Sequence, residues 1–336
     1  MLARMSPVQH AGWMSSNAEE SSPADEVARV LSLQHGVISR AQALEAGLAD
    51  HDIRRQVRRR AWVLLLPGVH LNHTSDPTWL QRAWAATLYA GDSALCHDSA
   101  LRASEGPGKT LRDESVIHVA IDRDRRILSP VDWLVVHRLA DFDSKVRRNA
   151  SPPTVRIEHA LLDVAAEAPT DFAAVGVLTD AVSSRRTTAD RVLAALRTRS
   201  RIPRRAFLTG VLTDIRDGTH SVLEHGYLHR VERAHELPTA ARQVVELTSR
   251  GKVYRDVVYE PFGVYVELDG RATHGTAQAH DQDLARDLVA VAEEKITLRL
   301  GWRQVYGDQC STAARVAAVL TKRGWTGTLQ RCPDCP

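Results

Sequence analysis

Hydrophobic residues at helical spacing begin the patterned part of the chain. Val27, Val30 and Leu31 predict a first helix, which Gly36 ends. The segment Ser39-Arg-Ala-Gln42 places a hydroxyl and an amide three residues apart, which is the pattern of a helix capping box. This pattern predicts a short second helix directly after the first.

A third helix and a hairpin follow along the chain. The helix is predicted from Asp50 to Arg60, and the apolar runs 62–66 and 69–71 predict two strands around a Pro67-Gly68 turn. Three short helices followed by a small hairpin are typical of a winged helix-turn-helix domain. We therefore predict such a domain in the first quarter of the chain.

The third helix is rich in arginine. Arg54, Arg55 and Arg58 share one of its faces by helical geometry. A helix that reads DNA needs positive charge of this kind to contact phosphates and guanine edges. The same pattern also fits an ordinary solvated helix face, so the sequence leaves both interpretations open.

The middle of the chain alternates strand and helix patterns. Apolar runs predict strands over 116–121 and 133–137, and helical spacing predicts helices over 157–166, 172–183 and 189–197. An arginine-rich stretch that follows is interpreted as a linker. We predict an α+β region here, and no motif in it indicates catalysis.

Strand alternation is clearest in a hairpin of the C-terminal third. Residues 252–259 and 264–270 flank the turn Glu260-Pro-Phe-Gly263. The aliphatic residues of the second strand point to one side, and its acids, Glu267 and Asp269, point to the other. The first side is predicted to face a core.

The register of this hairpin brings two carboxylates face to face. A turn centred on the Pro261–Phe262 bond puts Asp256 opposite Glu267, with Cβ atoms about 4.5–5.5 Å apart. Like charges at that distance are destabilising without a partner, and Mg²⁺, which prefers oxygen ligands, would compensate them. Two acids on a solvated outer face would need no metal, so this alternative stays open.

A third acid precedes the hairpin. The segment Ser221-Val-Leu-Glu224 has the capping-box form, which explains Glu224 as a helix-capping residue. Spacing alone does not separate that role from a place in a metal site.

Composition narrows the classes of function. The 336 residues carry a formal net charge of +3, which is too small to predict nucleic-acid binding by itself. No run of about 18 apolar residues occurs, so the sequence predicts no membrane span. Residues 1–22 lack the apolar segment of a secretory signal, and the four cysteines are too scattered for a disulfide framework. A cytoplasmic location is therefore expected.

Two of the cysteines form the motif Cys332-Pro-Asp-Cys335. This motif is half of a zinc-ribbon ligand set, and structural zinc requires four ligands. Because the sequence has no second Cys-x-x-Cys motif, we expect an idle tail here rather than a zinc site.

An ordered string of residues in the C-terminal third resembles a known family. The string comprises Ser221-Val-Leu-Glu224, Leu237-Pro238, Gln243, Asp256, Glu267-Leu-Asp269-Gly270, His274, Arg286-Asp287, Leu298-Arg299 and Trp302. It resembles the very-short-patch-repair-like endonuclease domain, a branch of the PD-(D/E)XK nuclease fold. The first quarter of the chain is similar to the winged-helix antitoxin domain of AbiEi-type abortive-infection systems.

The nuclease resemblance implies a mixed central sheet flanked by helices. It also implies that Glu224, Asp256 and Glu267 hold a divalent metal, Mg²⁺ or Mn²⁺. Asp269 stands where the fold usually has a catalytic lysine, and an aspartate cannot neutralise the charge that develops at phosphorus. The repair-endonuclease branch also lacks that lysine and uses a histidine nearby, a position that His274 matches.

His274 would then act as a general acid or base, although a polar surface loop explains it equally well. Arg286 and Asp287 are expected to form an ion pair at the sheet edge, with a contact between Arg286 and DNA as the alternative.

Two functions follow from these residues. The first is a Mg²⁺-dependent DNA endonuclease or nickase guided by the winged helix, with Asp269 and His274 beside the attacking water. The second is a DNA-binding regulator or AbiEi-type antitoxin with a toxin partner, whose nuclease-like fold is catalytically inactive. The three acids favour the first function, and the missing lysine favours the second. An RNA-directed version of either is a third option.

Together the patterns predict an α/β multidomain protein. The expected divisions are a disordered start (1–23), a winged helix-turn-helix domain (24–75), an α+β middle region with a linker (76–218), a restriction-endonuclease-like domain with a mixed sheet flanked by helices (219–330) and a tail (331–336).

Overall fold

The computed structural model describes residues 22–105, 115–217, 220–248, 251–270 and 295–335. Within these ranges, the chain forms both helices and strands, and the strands form three sheets. The predicted α/β architecture is therefore confirmed. None of the helices in these ranges is both long and apolar enough to cross a bilayer.

The first group of elements is three helices and a small antiparallel sheet. The helices are α1 (Pro23–Leu33), α2 (Arg40–Glu45) and α3 (Asp50–Arg58), and the strands are β1 (Val37–Ser39), β2 (Val63–Leu66) and β3 (Val69–Leu71), paired in the order β1-β3-β2. The predicted capping box is confirmed. The Ser39 hydroxyl accepts a hydrogen bond from the Gln42 N–H, and the Gln42 side chain accepts one from the Ser39 N–H.

Strand β1 joins this group to the next. Ile38 packs with Ile53 and Trp62 among the first three helices, whereas Val37 and Leu71 belong to the core of the following region. Successive residues of a strand point to opposite sides, so a strand buried along its whole length contacts two cores. The first group is thereby packed onto helix α4 (Trp79–Ala90).

The second group is a five-stranded mixed sheet covered by helices. Its strands are β4 (Ser93–Leu95), β5 (Ile117–Asp122), β6 (Leu134–Leu139), β7 (Val146–Arg147) and β8 (Thr154–Val155), in the order β6-β5-β4-β8-β7. Its helices are α4, α5 (His97–Glu105), α6 (Phe142–Lys145), α7 (Ile157–Glu167), α8 (Asp171–Ser183), α9 (Ala189–Thr198) and α10 (Arg205–Asp217). The two strands and three helices predicted here are confirmed, and α4 confirms a further helix that the spacing of Trp79, Trp84 and Leu88 predicts.

The third group is a four-stranded mixed sheet. Its strands are β9 (Ala241–Thr248), β10 (Gly251–Tyr259), β11 (Val264–Leu268) and β12 (Ile296–Leu300), in the order β12-β11-β10-β9. Strands β11 and β12 run parallel, and the other two pairs run antiparallel. Helix α11 (Ser221–Gly226) continues in helical turns to His235, and α12 (Gln309–Lys322) follows the last strand.

The core of the third group lies on one face of this sheet. Val264, Val266 and Leu268 are buried there, while the side chains between them are less buried, as the alternation predicts. Residues of the α11 segment and of α12 pack on the same core. Gly226 permits the close approach, because a Cβ at this position would lie 2.5 Å from the ring of Tyr306.

A buried polar network connects the helix that continues from α11 to this sheet. The hydroxyls of Tyr227 and Tyr259 lie 3.0 Å apart, and Tyr259 donates to Glu232 Oε2 at 3.4 Å. Arg242 donates to the same carboxylate oxygen at 2.8 Å. Glu232 is only 2% exposed, and its burial raises its pKa. Arg242 is therefore the cation that stabilises a charged carboxylate in this core.

The third group also packs on the second. The Val222 N–H donates to Asp214 at 2.7 Å, which joins α11 to α10. Arg230 pairs with Asp171 at the start of α8. Trp302 contacts both large cores. The three groups thus share continuous contacts from α1 to α12.

Candidate active site

The hairpin register predicted from the sequence is confirmed. Val257 pairs with Val266, and Tyr259 pairs with Val264, so the turn is centred on the Pro261–Phe262 bond. The ladder ends at Val257, and Asp256 and Glu267 stand one step beyond it. Here a side-chain oxygen replaces a backbone carbonyl as the acceptor: Asp256 Oδ2 accepts a hydrogen bond from the Leu268 N–H at 2.7 Å.

Asp256 lies in an acidic environment. Burial is the main reason that its pKa is raised, and the carboxylates of Glu267 and Asp269 raise it further. The hydrogen bond from Leu268 acts in the opposite direction because it favours the charged form. The structure therefore brings three of the predicted acids into one electrostatic cluster.

Glu224 joins this cluster from helix α11. Burial raises its pKa, the hydrogen bond from Gln243 lowers it, and the charge of Asp256 raises it again. His220 occupies the N-cap position of α11, one residue before the Ser221 expected there, and the Glu224 carboxylate accepts a hydrogen bond from Gln243 Nε2 at 2.9 Å. The Glu224 side chain thus contacts strand β9 of the sheet.

Gln243 is held in an unusual backbone conformation. Its φ of +51° lies in the left-handed region, which residues other than glycine rarely adopt. Strained residues of this kind are concentrated at functional sites. Gln243 is thereby placed on β9 with its amide against Glu224.

The charge of Glu267 is compensated by arginines. Its two carboxylate oxygens pair with Arg255 Nη1 at 2.8 Å and with Arg299 Nε at 3.3 Å. The expected crowding of two uncompensated carboxylates is therefore wrong for Glu267. Among the described residues, Asp256 and Glu224 have no such arginine partner and accept hydrogen bonds from Leu268 and Gln243 instead.

His220 belongs to the cluster and was not predicted from the sequence. Its charge lowers the pKa of both Glu224 and Asp256, which opposes the effect of their burial. A Cβ at Gly270 would lie 2.3 Å from His220 Nδ1, so the ring packs directly against the residue after Asp269. The glycine of Glu-Leu-Asp-Gly is the one sequence signal that could have indicated this close approach.

Three further residues of this region were predicted to have a role. His274, Arg286 and Asp287 lie outside the described residues. Their predicted roles stay predictions.

Sulfur and imidazole groups form the tightest ligand sets in the described part of the chain. Two sets have ligand atoms that all lie within 4.8 Å of one another, and neither contains a carboxylate. Mg²⁺ binds through only one or two carboxylates and keeps several waters. The carboxylates of Asp256 and Glu224 are oxygen donors of the type that Mg²⁺ prefers, and they belong to neither of these sets.

One of these sets, Cys96 with His97 and His137, is a packed stack of rings. The ring centroids of His97 and His137 lie 3.9 Å apart, with 22° between the ring planes. Burial, with the neighbouring histidines, lowers the pKa of His137 to about 3. His97 is buried as well, and we assign this set a packing role.

The basic helix α3 borders an open groove. Together with the β2-β3 hairpin it encloses about 690 Å³, and the exposed residues Arg54 and Arg58 line this space beside Leu64. Arg55 does not line it and pairs with Asp52 at 2.8 Å. Of the three arginines predicted to contact DNA, the structure brings two together at the groove.

Comparison with known proteins adds little to this geometry. No family model matches the chain, and no curated protein matches it. Among solved structures, the crystal structure of the RV2827C protein from Mycobacterium tuberculosis aligns with 57% of this chain and 78% of its own length, at 20% identity and a TM-score of 0.35. So loose an overlap carries no argument about fold or activity.

Proposed function

We propose that this chain is a DNA-associated protein whose third group of elements hydrolyses phosphodiesters with Mg²⁺, as an endonuclease or nickase. The supporting observation is Asp256, a half-buried carboxylate with a raised pKa that lies in electrostatic contact with Glu224, Glu267 and Asp269. A cation lowers the free energy of such a cluster by favouring its charged form. In this proposal the mixed sheet is a restriction-endonuclease-like core related to the repair endonucleases.

Asp256 and Glu224 are the proposed metal ligands, and Glu267 becomes a third if it exchanges its arginine partners. When bound, Mg²⁺ polarises the phosphoryl group and lowers the pKa of a coordinated water. Arg255 and Arg299 place positive charge next to these acids, where a phosphate would bind. In the absence of a lysine at position 269, these two guanidinium groups are the proposed source of that charge.

Proton transfer is assigned to the imidazoles near the acids. The charge of His220 lowers the pKa of both Glu224 and Asp256, so its imidazole lies near both acids. In this proposal it gives a proton to the leaving oxygen. Asp269 is proposed to orient the attacking water, and His274 remains a second candidate for the proton transfer.

Plasmid cleavage tests this proposal. We expect the full-length protein to convert supercoiled plasmid to nicked or linear DNA with Mg²⁺ or Mn²⁺ and to do nothing in EDTA. Glu267→Ala is expected to lower the rate by about 100-fold or more, because it removes a carboxylate from the cluster. Agarose electrophoresis over a time course measures both rates.

The matched control is Glu246→Ala. Glu246 also pairs with Arg255, at 3.0 Å, but it is not among the main groups that shift the pKa of Asp256. Its loss tests the arginine ion pairs without removing an acid of the cluster, so the rate should stay within about threefold of wild type. Absence of cleavage with both ions, or equal cleavage by wild type and Glu267→Ala, would rule out the proposed site.

A second candidate function is a DNA-binding regulator or AbiEi-type antitoxin without turnover. Its support is the groove beside α3, together with the order of three helices and a hairpin that a winged helix requires. Two exposed arginines one turn apart are suited to contact adjacent phosphates. The toxin partner remains part of this proposal alone.

Changing Arg54 and Arg58 together to Ala is expected to weaken duplex binding about tenfold at low salt. Two lost phosphate contacts should also flatten the slope of log affinity against log salt by about two. Fluorescence anisotropy at several salt concentrations measures both quantities. Arg55→Ala is the control and should leave the slope unchanged, since Arg55 is paired with Asp52. An unchanged slope in the double variant would show that the groove does not bind DNA.

A further inference from the structure

Four potential metal ligands meet where the C-terminal segment returns to the end of the α11 segment. The Sγ atoms of Cys310 and Cys332 lie 3.5 Å apart, and those of Cys332 and Cys335 lie 3.8 Å apart. Cys335 Sγ lies 3.6 Å from His235 Nε2. All four ligand atoms lie within 4.8 Å of one another.

These separations match the ligands of a tetrahedral ion. Zn–S bonds of about 2.3 Å and a Zn–N bond of about 2.0 Å put sulfurs about 3.8 Å apart and the nitrogen about 3.6 Å from each sulfur. A disulfide would bring two sulfurs to about 2.05 Å, whereas all four cysteines of the chain are free. The geometry therefore fits a shared cation better than a covalent bond.

The imidazole of His235 has the orientation of a metal ligand. The residue is fully buried, and its Nδ1 lies 3.0 Å from the carbonyl oxygen of Val231. A carbonyl oxygen only accepts hydrogen bonds, so Nδ1 carries the proton and Nε2 directs its lone pair at the sulfurs. Metal-binding histidines characteristically make this second contact, which fixes the tautomer.

The backbone holds the C-terminal segment against the same helix end. The Gln330 N–H donates to the His235 carbonyl at 3.1 Å, and the Cys335 N–H donates to the Cys332 carbonyl at 3.0 Å. The second bond closes a tight turn in Cys-Pro-Asp-Cys, which directs both sulfurs to one point. Trp325, earlier in the segment, packs on the core of the third group.

We propose that Cys310, Cys332, Cys335 and His235 bind a structural zinc ion. Thiolates are soft ligands that select Zn²⁺ over Mg²⁺, so this site differs in chemistry from the carboxylate cluster. Four protein ligands leave no position for water or substrate, which is the mark of a structural rather than a catalytic site.

The proposal replaces the expectation of an idle tail. That expectation rested on the absence of a second Cys-x-x-Cys motif. The missing ligands are instead Cys310, 22 residues before Cys332, and His235, 100 residues before Cys335. The zinc joins the C-terminal segment, the start of α12 and the end of the α11 segment. The free energy of zinc binding therefore adds to the free energy of folding of the third group.

Metal analysis of the full-length protein tests the site. Protein purified without chelator should contain about one zinc per chain by plasma mass spectrometry. Thiol modification should release this zinc, as measured with a colorimetric zinc indicator. Reconstitution of the stripped protein with Co²⁺ should give a thiolate-to-metal charge-transfer band and the visible absorption of a tetrahedral site.

Variants identify the ligands. Cys335→Ser is expected to lower the zinc content to about a tenth or less, whereas Cys335→His, which restores a ligand, should retain it. Cys96→Ser is the matched control, because Cys96 is a free cysteine far from this cluster in the fold, and it should keep about one zinc. If Cys335→Ser fails to fold, the Co²⁺ spectrum of the wild type and of Cys335→His decides the ligand set.

Several results would overturn the proposal. Folded protein that contains no metal when purified without chelator, or a Cys332–Cys335 disulfide in the freshly purified chain, excludes a zinc site. Zinc retained by Cys335→Ser, or lost from Cys96→Ser, assigns the metal to other residues. A Co²⁺ spectrum without a thiolate band has the same meaning.

Discussion

Asp256→Asn is expected to abolish metal-dependent DNA cleavage while the protein stays folded. The amide oxygen of asparagine can still accept the hydrogen bond from Leu268, so the end of the β10-β11 ladder keeps its partner. The negative charge that would hold the metal is lost, and we expect a fall in rate of about 100-fold or more. The plasmid assay measures the rate, and calorimetric titration with Mn²⁺ measures metal affinity.

The free energy of unfolding of Asp256→Asn distinguishes loss of the metal ligand from misfolding of the variant. Burial raises the pKa of Asp256, and its acidic neighbours raise it further, so a neutral side chain should leave the free energy of unfolding unchanged or higher. Asp308→Asn, an exposed position that pairs with Arg303, serves as the control and should retain activity. Cleavage at the wild-type rate by Asp256→Asn would show that the acidic cluster does not bind the catalytic metal.

Arg242→Met is expected to lower the free energy of unfolding by about 3 kcal/mol. The change leaves the carboxylate of Glu232, which is 2% exposed, without its cation. Removing one partner of a buried ion pair costs about 3–5 kcal/mol, because the other charge stays buried and uncompensated. Urea denaturation of the full-length variant and of the wild type measures the difference.

Acid should reduce this effect. Burial raises the folded-state pKa of Glu232 above 4.5, so the folded protein binds the proton at a higher pH than the unfolded chain does. Protonation removes the buried charge, and the gap between Arg242→Met and wild type should therefore narrow as the pH falls from 7 toward 5. Adding Glu232→Gln to the variant should recover most of the loss.

The control for this pair is Arg233→Met. Arg233 is exposed and lies next to Glu232 in the same helical segment. Its replacement should change the free energy of unfolding by about 0.5 kcal/mol or less. A loss of similar size in both variants would mean that general surface charge, rather than the Glu232 ion pair, determines the result.

Local patterns predicted the local structure well. The Ser39–Gln42 capping box and the alternation of Val264, Val266 and Leu268 depend on neighbours within a few residues, and both are confirmed. The hairpin register depends only on the position of its turn, and it is also confirmed. Each of these features depends on residues close together in the sequence, so the periodicity of polar and apolar positions is enough to predict it.

Long-range partners were beyond the reach of such patterns. Strand β9 was not predicted, and with it the contact of Gln243 with Glu224 was missed. The arginine pairs of Glu267 join residues on three strands, and the sequence contains no sign of which cations will meet it. The cluster of His235 with three cysteines has the same cause, since only the fold brings its segments together.

The continuous packing from α1 to α12 has a geometric consequence for a nuclease. Strand β1 is buried on both faces, and the Asp214–Val222 hydrogen bond fixes α11 on α10, so packed contacts among the described residues connect the group that carries the basic groove to the group that carries the acidic cluster. A duplex engaged at both places would be cut at a constant number of base pairs from the sequence it is held by. The distance between the bound sequence and the cut would therefore be fixed, whereas a nuclease on a flexible linker cuts at many positions.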